Sequence, residues 1–321
     1  MTKDTIFIAS CSQDIATWGP VAEKLHANSY DTIIYEADKV ALGSVAMSVQ
    51  VSNAGDFELV YDHTRVYVHD IGSAWYRRAS FFSSQDDDVL SQISLDAERR
   101  AIQASIWDAI PNARWLNAPN IMSQAEHKLT QLRIAGELGF SVPKTIVSNS
   151  WSDIEAQLDK EIIFKPSYGL FYRADDPVQV FTTRLINSHD TLPVTDNPFP
   201  GIWQNYTSKR KEWRVTAVGD EIFAAAIYTQ NDAKDDWRKH QTSTGVEFAA
   251  EQFDDDLGQK CVAYLGRMGL QFGAFDFIET PDGETVFLEC NPNGQYGWLE
   301  QGLNLPISNS IARVLQRTAQ G

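Results

Sequence analysis

Residues 272–300 read FGAFDFIETPDGETVFLECNPNGQYGWLE, and their pairing decides how the C-terminal part of the chain is built. Two apolar runs, 272–279 and 285–291, flank Thr280-Pro281-Asp282-Gly283 and read as two strands of a β-hairpin. Each run is broken by an acid, Asp276 in the first and Glu289 in the second, and a carboxamide follows at Asn291. If Asp282 and Gly283 are the two central residues of a tight turn, Asp276 falls directly opposite Glu289. If Pro-Asp-Gly instead forms a type I turn with a G1 bulge, the register slips by one and the two acids go to opposite faces. Opposed carboxylates repel unless something cationic neutralises them. Asn291 lies on the Glu289 side, because strand residues alternate faces. An oxygen-only set of this kind suits Mg²⁺, and the alternative is a pair of solvent-facing strand acids. Phe275, Phe277, Phe287 and Leu288 surround these groups with apolar side chains, a setting in which a carboxylate needs a partner.

Outward from this hairpin, the 321-residue chain is 43% hydrophobic, enough for a sizeable core. Its net charge of −16 argues against a nucleic-acid backbone or an anionic membrane as partner. Its three cysteines, Cys11, Cys261 and Cys290, have no metal-knuckle spacing and predict free thiols in the cytoplasm. The N-terminal apolar run is too short for a signal peptide, and no run approaches the ~20 apolar residues of a membrane span. The acidic runs at 81–89 and 252–258 read as solvated charge.

Residues 1–120 alternate β-rich runs (TIFIAS, TIIYEAD, RVYVHD, SAWYRRAS, ARWLN) with helical patterns at 14–27 and 91–109, predicting an α/β layer with a mainly parallel sheet. Pro119 breaks this pattern, and Ser123 with Glu126 reads as a capping box for a helix that stops at Gly139. A smaller α+β unit follows: the strand KTIVS, a helix over 152–159, and the strand EIIFKP. Beyond 196, IWQNY, a hairpin turning at Gly219-Asp220, a helix over 254–268 and the opening hairpin predict a largely antiparallel sheet.

Lys165 ends the strand IIFKP, and Lys128 lies in the first turns of its helix. A lone lysine is ordinarily solvated, but two of them ahead of an oxygen-rich site suit nucleotide phosphates. Arg214 in KEWRV and Arg238 in DDWRKH offer planar donors for carboxylate or phosphate oxygens, with surface ion pairs as the alternative.

Taken in order, Lys128, FKP, WQNY, EWRV, FDF and LECNPNG resemble the ATP-grasp ligases from about Ile121 onward. WYRR (75–78), VFTTRL (180–185), KRKEWRVTAVG, DWR (236–238) and ECNPNGQYGWLE extend the resemblance to the graspetide, or microviridin-type, peptide macrocyclases over nearly the whole chain. The resemblance implies an α/β and α+β fold in three parts: a pre-ATP-grasp domain (1–120), a central small domain (121–195) and a C-terminal domain (196–321). It implies that Lys128 and Lys165 bind ATP phosphates, that Gln204, Asn205 and Tyr206 meet adenine, and that Asp276, Glu289 and Asn291 hold Mg²⁺. Arg214 and Arg238 correspond to catalytic positions beside the transferred phosphate and the substrate carboxylate.

The implied reaction activates an Asp or Glu side chain of a ribosomal precursor peptide as an acyl phosphate. A Ser or Thr hydroxyl then gives an ester, or a Lys amine an amide. The leader of that peptide is expected on the stretch 171–185, and a homodimer is expected from the family. In one departure, KPSYGLFYRADD carries only Gly169 where many relatives have a glycine-rich phosphate loop. The alternatives are an ATP-grasp ligase that joins small molecules or adds amino acids to a carboxylate, and a nucleotide-binding protein without catalysis.

Overall fold

Parallel and antiparallel sheets divide the chain much as hydrophobic periodicity predicts. The computed structural model describes residues 5–80, 89–111, 114–159, 161–165, 170–173, 176–180, 184–186, 200–229 and 246–320, with backbone alone for 89–93, the strands between 170 and 186, and 320. In chain order the first elements are β1 (Thr5–Ser10), α1 (Ile15–Ala27), β2 (Asp31–Glu36), α2 (Ala37–Ala41), β3 (Met47–Val51), β4 (Phe57–Tyr61), β5 (Thr64–Tyr67), β6 (Ile71–Tyr76), α3 (Val89–Asp108) and β7 (Trp115–Leu116). Strands β2-β1-β6-β7 form a parallel sheet, as expected. The run RVYVHD is corrected here: its strand is β5, which lies in an antiparallel meander β3-β4-β5 and not in the parallel sheet, and β3 and β4 are not anticipated from sequence because they are short and half exposed.

Next come α4 (Pro119–Ala125), α5 (Lys128–Glu137), β8 (Thr145–Ser148), α6 (Trp151–Gln157), β9 (Ile162–Lys165), β10 (Leu170–Arg173), β11 (Asp176–Val180), β12 (Arg184–Ile186) and β13 (Gly201–Asn205). The capping-box reading is corrected here: Ser123 lies inside α4, which Pro119 opens, and α5 starts at Lys128 behind His127 with no side-chain cap. Proline is suited to a helix start, where its missing N–H costs nothing. Gly139 does end α5: it sits at φ +79°, and Phe140 N–H donates to the Ala135 carbonyl at 3.0 Å. Strands β12-β9-β13-β8 form a small antiparallel sheet whose Phe164 and Trp203 bury against Ile154 and Leu158. Ile154 belongs to α6.

The last elements are β14 (Lys211–Val218), β15 (Glu221–Thr229), β16 (Val246–Ala250), α7 (Asp255–Met268), β17 (Phe272–Glu279), β18 (Thr285–Asn291), α8 (Gly297–Leu303) and α9 (Ile307–Gln320). They build the antiparallel sheet β16-β15-β14-β17-β18. Alternation splits this sheet into two unlike faces. Trp213, Val215, Ala217, Phe275, Phe277 and Phe287 face Ile134 and Ala135 of α5 and Tyr264 and Leu265 of α7 in one core. On the other face, Val218, Phe223, Ala225 and Phe272 join Ile6, Ile8, Val21, Leu25 and Trp75 of the parallel layer and Ile307, Ile311 and Leu315 of α9. The outer edge of β18 is covered: Ser141 accepts from Phe287 N–H, and Gln131 brackets Cys290, accepting from its N–H at 3.0 Å and donating to its carbonyl at 2.8 Å. An edge blocked in this way offers no template for stray strand pairing.

The β17–β18 hairpin takes the bulged turn and still brings the acids together. Gly283 N–H closes on the Thr280 carbonyl at 3.0 Å with Gly283 at φ +91°, so the turn is not the two-residue one. Pairing starts at Glu279↔Thr285 and runs to Phe277↔Phe287, where the register shifts and Leu288 is left over. Beyond that bulge Asp276 pairs with Glu289, and Ala274 with Asn291. The bulge turns Phe287 into the core and Glu289 to the opposite face, although two residues apart in an unbroken strand they would share one.

Candidate active site

The second face of the large sheet carries a row of charge. Register places Arg214 of β14 opposite Asp276 of β17, and Asp276 opposite Glu289 of β18. Arg214 and Asp276 are each 8% exposed and share a 2.8 Å hydrogen-bonded ion pair. Lys128, the first residue of α5, reaches Glu289 from the other end at 2.9 Å. The order across the sheet is therefore cation, acid, acid, cation. The repulsion expected between opposed carboxylates is relieved from the flanks by two residues that belong to the same predicted site. The ε-nitrogen of Arg214 is buried with no hydrogen-bond partner, a cost that an incoming oxyanion would relieve.

Asn291 continues the row on the rim, with its Oδ1 accepting the Asn293 N–H at 2.9 Å. The following loop folds back over the sheet: Gly294 is packed so closely that a Cβ there would lie 2.4 Å from the Ala274 Cβ and 2.9 Å from Arg214 Nη2. The Gln295 carbonyl accepts from Arg214 Nη2 at 3.2 Å. Burial pushes the neighbouring Cys290 thiol well up, so it is neutral and unreactive beside this charge. Glu126, just ahead of α5, is also raised by burial, with Lys128 and His127 opposing.

Three supporting residues are absent from the sequence-level site. Gln131 stands three residues after Lys128 on α5, the spacing that puts two side chains on one helix face, and that is the signal for it. Asn117 donates to the carbonyls of Phe272 and Pro292 and accepts from the N–H groups of Gln271 and Phe272, with no signal in sequence. Arg77, within the WYRR run, is buried beneath the 293–295 loop.

The small sheet presents a second group. Ile202 pairs with Lys165 and Gln204 with Ile163 and Thr145, which puts Lys165 and Gln204 on the face opposite the α6 core. Gln204 donates to Thr145 Oγ1 at 2.9 Å, and its own carbonyl oxygen is buried without a donor. Asn205 alternates to the other face, where its carboxamide is engaged by Asp159 through both its oxygen and its nitrogen. Tyr206 N–H donates to the Glu161 carbonyl at 2.8 Å. Arg238 lies outside the described residues. The 171–185 stretch falls on β10 and β11, which pair into a two-stranded ribbon, and reaches into β12.

Asp276, Glu289 and Asn291 offer oxygen alone, in the number Mg²⁺ takes from protein when phosphates supply the rest. Among the described residues, no three His, Cys, Asp or Glu side chains gather into a metal cage. The donor chemistry, the orphaned Arg214 ε-nitrogen and the orphaned Gln204 oxygen all fit a magnesium nucleotide.

No family model matches the chain. A RiPP-associated ATP-grasp ligase of Chryseobacterium gregarium, solved in complex with ADP and a leader and core peptide, superposes with a TM-score of 0.85 at 25% identity, covering 98% of this chain and 96% of that one. The macrocyclase MdnB of Microcystis aeruginosa MRC superposes with a TM-score of 0.76 at 28% identity, covering 97% and 98%. In sequence, the alpha-aminoadipate–LysW ligase LysX of Sulfurisphaera tokodaii is 22% identical over 247 residues, 75% of this chain and 85% of that protein.

Proposed function

We propose that this chain, whose fold matches an ATP-grasp ligase over 98% of its length, is an enzyme that uses ATP to phosphorylate Asp or Glu side chains of a ribosomal precursor peptide and closes macrocyclic esters or amides. The single observation that carries the site assignment is the row Lys128–Glu289–Asp276–Arg214 on one sheet face. Asp276, Glu289 and Asn291 would hold Mg²⁺, which when bound neutralises oxygens of the phosphoryl group being transferred. Lys128 and Lys165 would meet phosphates, and Gln204 to Tyr206 the adenine, with the buried Gln204 oxygen supporting a contact to an amine. The Asn205 carboxamide is engaged by Asp159 and its N–H donates to the Lys144 carbonyl at 3.0 Å, so its contribution in this reading is its main-chain carbonyl.

Arg214 would bind the oxyanions through its spare donor while Asp276 keeps its guanidinium aimed, so charge is stabilised by groups already in place. Arg238 is carried in the same role from its motif. A substrate carboxylate oxygen takes the γ-phosphoryl group and ADP leaves; a hydroxyl or neutral amine then attacks the acyl carbon, the bond from that carbon to the phosphate oxygen breaks, and the nucleophile's proton leaves with the phosphate. Each ring costs the peptide one water. The reading includes leader binding along 171–185 by strand addition to an exposed ribbon edge. It also includes the division into 1–120, 121–195 and 196–321, a homodimer, and a cytoplasmic location consistent with three buried free thiols.

The test combines protein, Mg²⁺, ATP and a candidate precursor with Thr/Ser-rich and Asp/Glu-rich core segments, and follows peptide mass. Successive losses of water with ADP release are expected. Unchanged peptide mass with turnover on free amino acids would transfer the chain to the amino-acid-ligating alternative. Glu289→Ala is expected to cut ADP release about a hundredfold or more while leaving the circular dichroism spectrum unchanged; normal turnover by that variant would remove Glu289 from the site.

A further inference from the structure

Arg77 is the largest fully buried side chain of the described residues, 1% exposed, at the C-terminal end of β6 in the parallel layer. Its ε-nitrogen donates to Asp14 at 2.8 Å, and Asp14 also accepts from Thr17. Its two terminal nitrogens go to one short segment: the Asn293 carbonyl at 3.0 Å, Asn293 Oδ1 at 3.2 Å, the Gly294 carbonyl at 3.0 Å and Gln295 Oε1 at 2.7 Å. The guanidinium carbon also lies 5.6 Å from the Tyr296 ring centroid. A buried charge is tolerated only when paired and hydrogen-bonded, and this one is satisfied by Asp14 and three consecutive loop residues.

That same segment serves the site from its other side. Asn293 N–H holds Asn291 Oδ1, Gly294 packs on Arg214, and the Gln295 carbonyl accepts from Arg214. Arg77 itself touches none of Asp276, Glu289 or Asn291 through a hydrogen bond. We propose that Arg77 is a positioning residue through which the N-terminal layer sets the Asn293–Gln295 loop, and with it the Asn291 carboxamide and the Arg214 guanidinium, for the magnesium nucleotide. The inference rests on reading that site as nucleotide- and Mg²⁺-binding. Lysine in place of Arg77 keeps the charge for Asp14 but has one nitrogen where the guanidinium spreads its donors over three, so it cannot also hold the Asn293, Gly294 and Gln295 oxygens.

The test uses full-length Arg77→Lys and, should that variant fold poorly, Gln295→Ala, which removes one contact of the set. Amide hydrogen exchange of the nucleotide-free proteins, read by mass spectrometry, is expected to quicken about tenfold or more over 293–296 and to stay unchanged in β14 and β17. Titration with Mn²⁺ and ADP is expected to give a dissociation constant about tenfold weaker, the usual size of a lost supporting contact at a metal site. An unchanged loop, or a loosened loop with unaltered Mn²⁺·ADP affinity, would overturn the proposal. The exchange measurement needs no nucleotide. Failure of the nucleotide reading, seen as no Mn²⁺·ADP binding by the unsubstituted protein, is thus separate from failure of the Arg77 assignment, seen as an unaltered loop.

Discussion

At the residue scale, the site is tuned by who neutralises whom. Asp276 and Glu289 face each other, yet each has its own cation, Arg214 and Lys128, so the opposed carboxylates do not face bare repulsion. Gly294 is where this arrangement has least slack, because no side chain fits between Ala274 and Arg214. Gly294→Ala should cost about 1–3 kcal/mol in urea unfolding, the usual penalty of overpacking, and should lower ADP formation at saturating ATP. Stability within about 0.5 kcal/mol of the parent would mean that the loop relaxes freely and does not brace Arg214.

At the element scale, the β17–β18 hairpin separates the turn from the chemistry. The glycine turn shifts the strands by one, and the bulge at Leu288 shifts them back before Asp276 is reached. Gly283 sits at φ +91°, where a Cβ is strained, so Gly283→Ala should cost about 1 kcal/mol. Because the bulge lies between that turn and the acids, the rate of ADP formation should be unchanged at temperatures where the variant is folded. A parallel fall in rate would show the turn and the site to be one unit. Helix α5 completes the hairpin from outside: Lys128 and Gln131, on one helix face, hold Glu289 and the Cys290 backbone.

For the whole molecule, the core that joins the two ends of the chain matters most. Ile307, Ile311 and Leu315 of α9 pack with Ile6, Ile8 and Leu25 of the first layer and with Val218 and Phe272 of the large sheet. Leu315 is fully buried there, and Leu315→Ala should cost about 2–5 kcal/mol. Since one core serves both layers, hydrogen exchange should lose protection together in β1 and in β14; loss confined to either sheet would mean that they fold separately. No described helix is long and apolar enough to cross a membrane.

Much of this was legible in the residues. Strand-like runs interleaved with helical patterns set the parallel layer, and hairpin turns at Gly219-Asp220 and Asp282-Gly283 set the antiparallel sheet, because a short turn between strands forces them antiparallel. The ordered motifs from Lys128 to Asn291 marked the ligase fold, and through that resemblance they named Asp276, Glu289 and Asn291 as one oxygen-rich group; the residues alone left open whether the two acids share a face. Local pattern could not settle the turn: Pro-Asp-Gly satisfies two hairpin geometries, and a bulge at an ordinary leucine leaves no compositional mark. Nor could it supply Asn117 or Arg77, whose partners between Gln271 and Gln295 lie more than 150 residues away in sequence. Those contacts exist only once the N-terminal layer closes on the 292–295 loop. Tertiary structure decided them because a buried polar group must find its hydrogen bonds wherever the folded chain offers them.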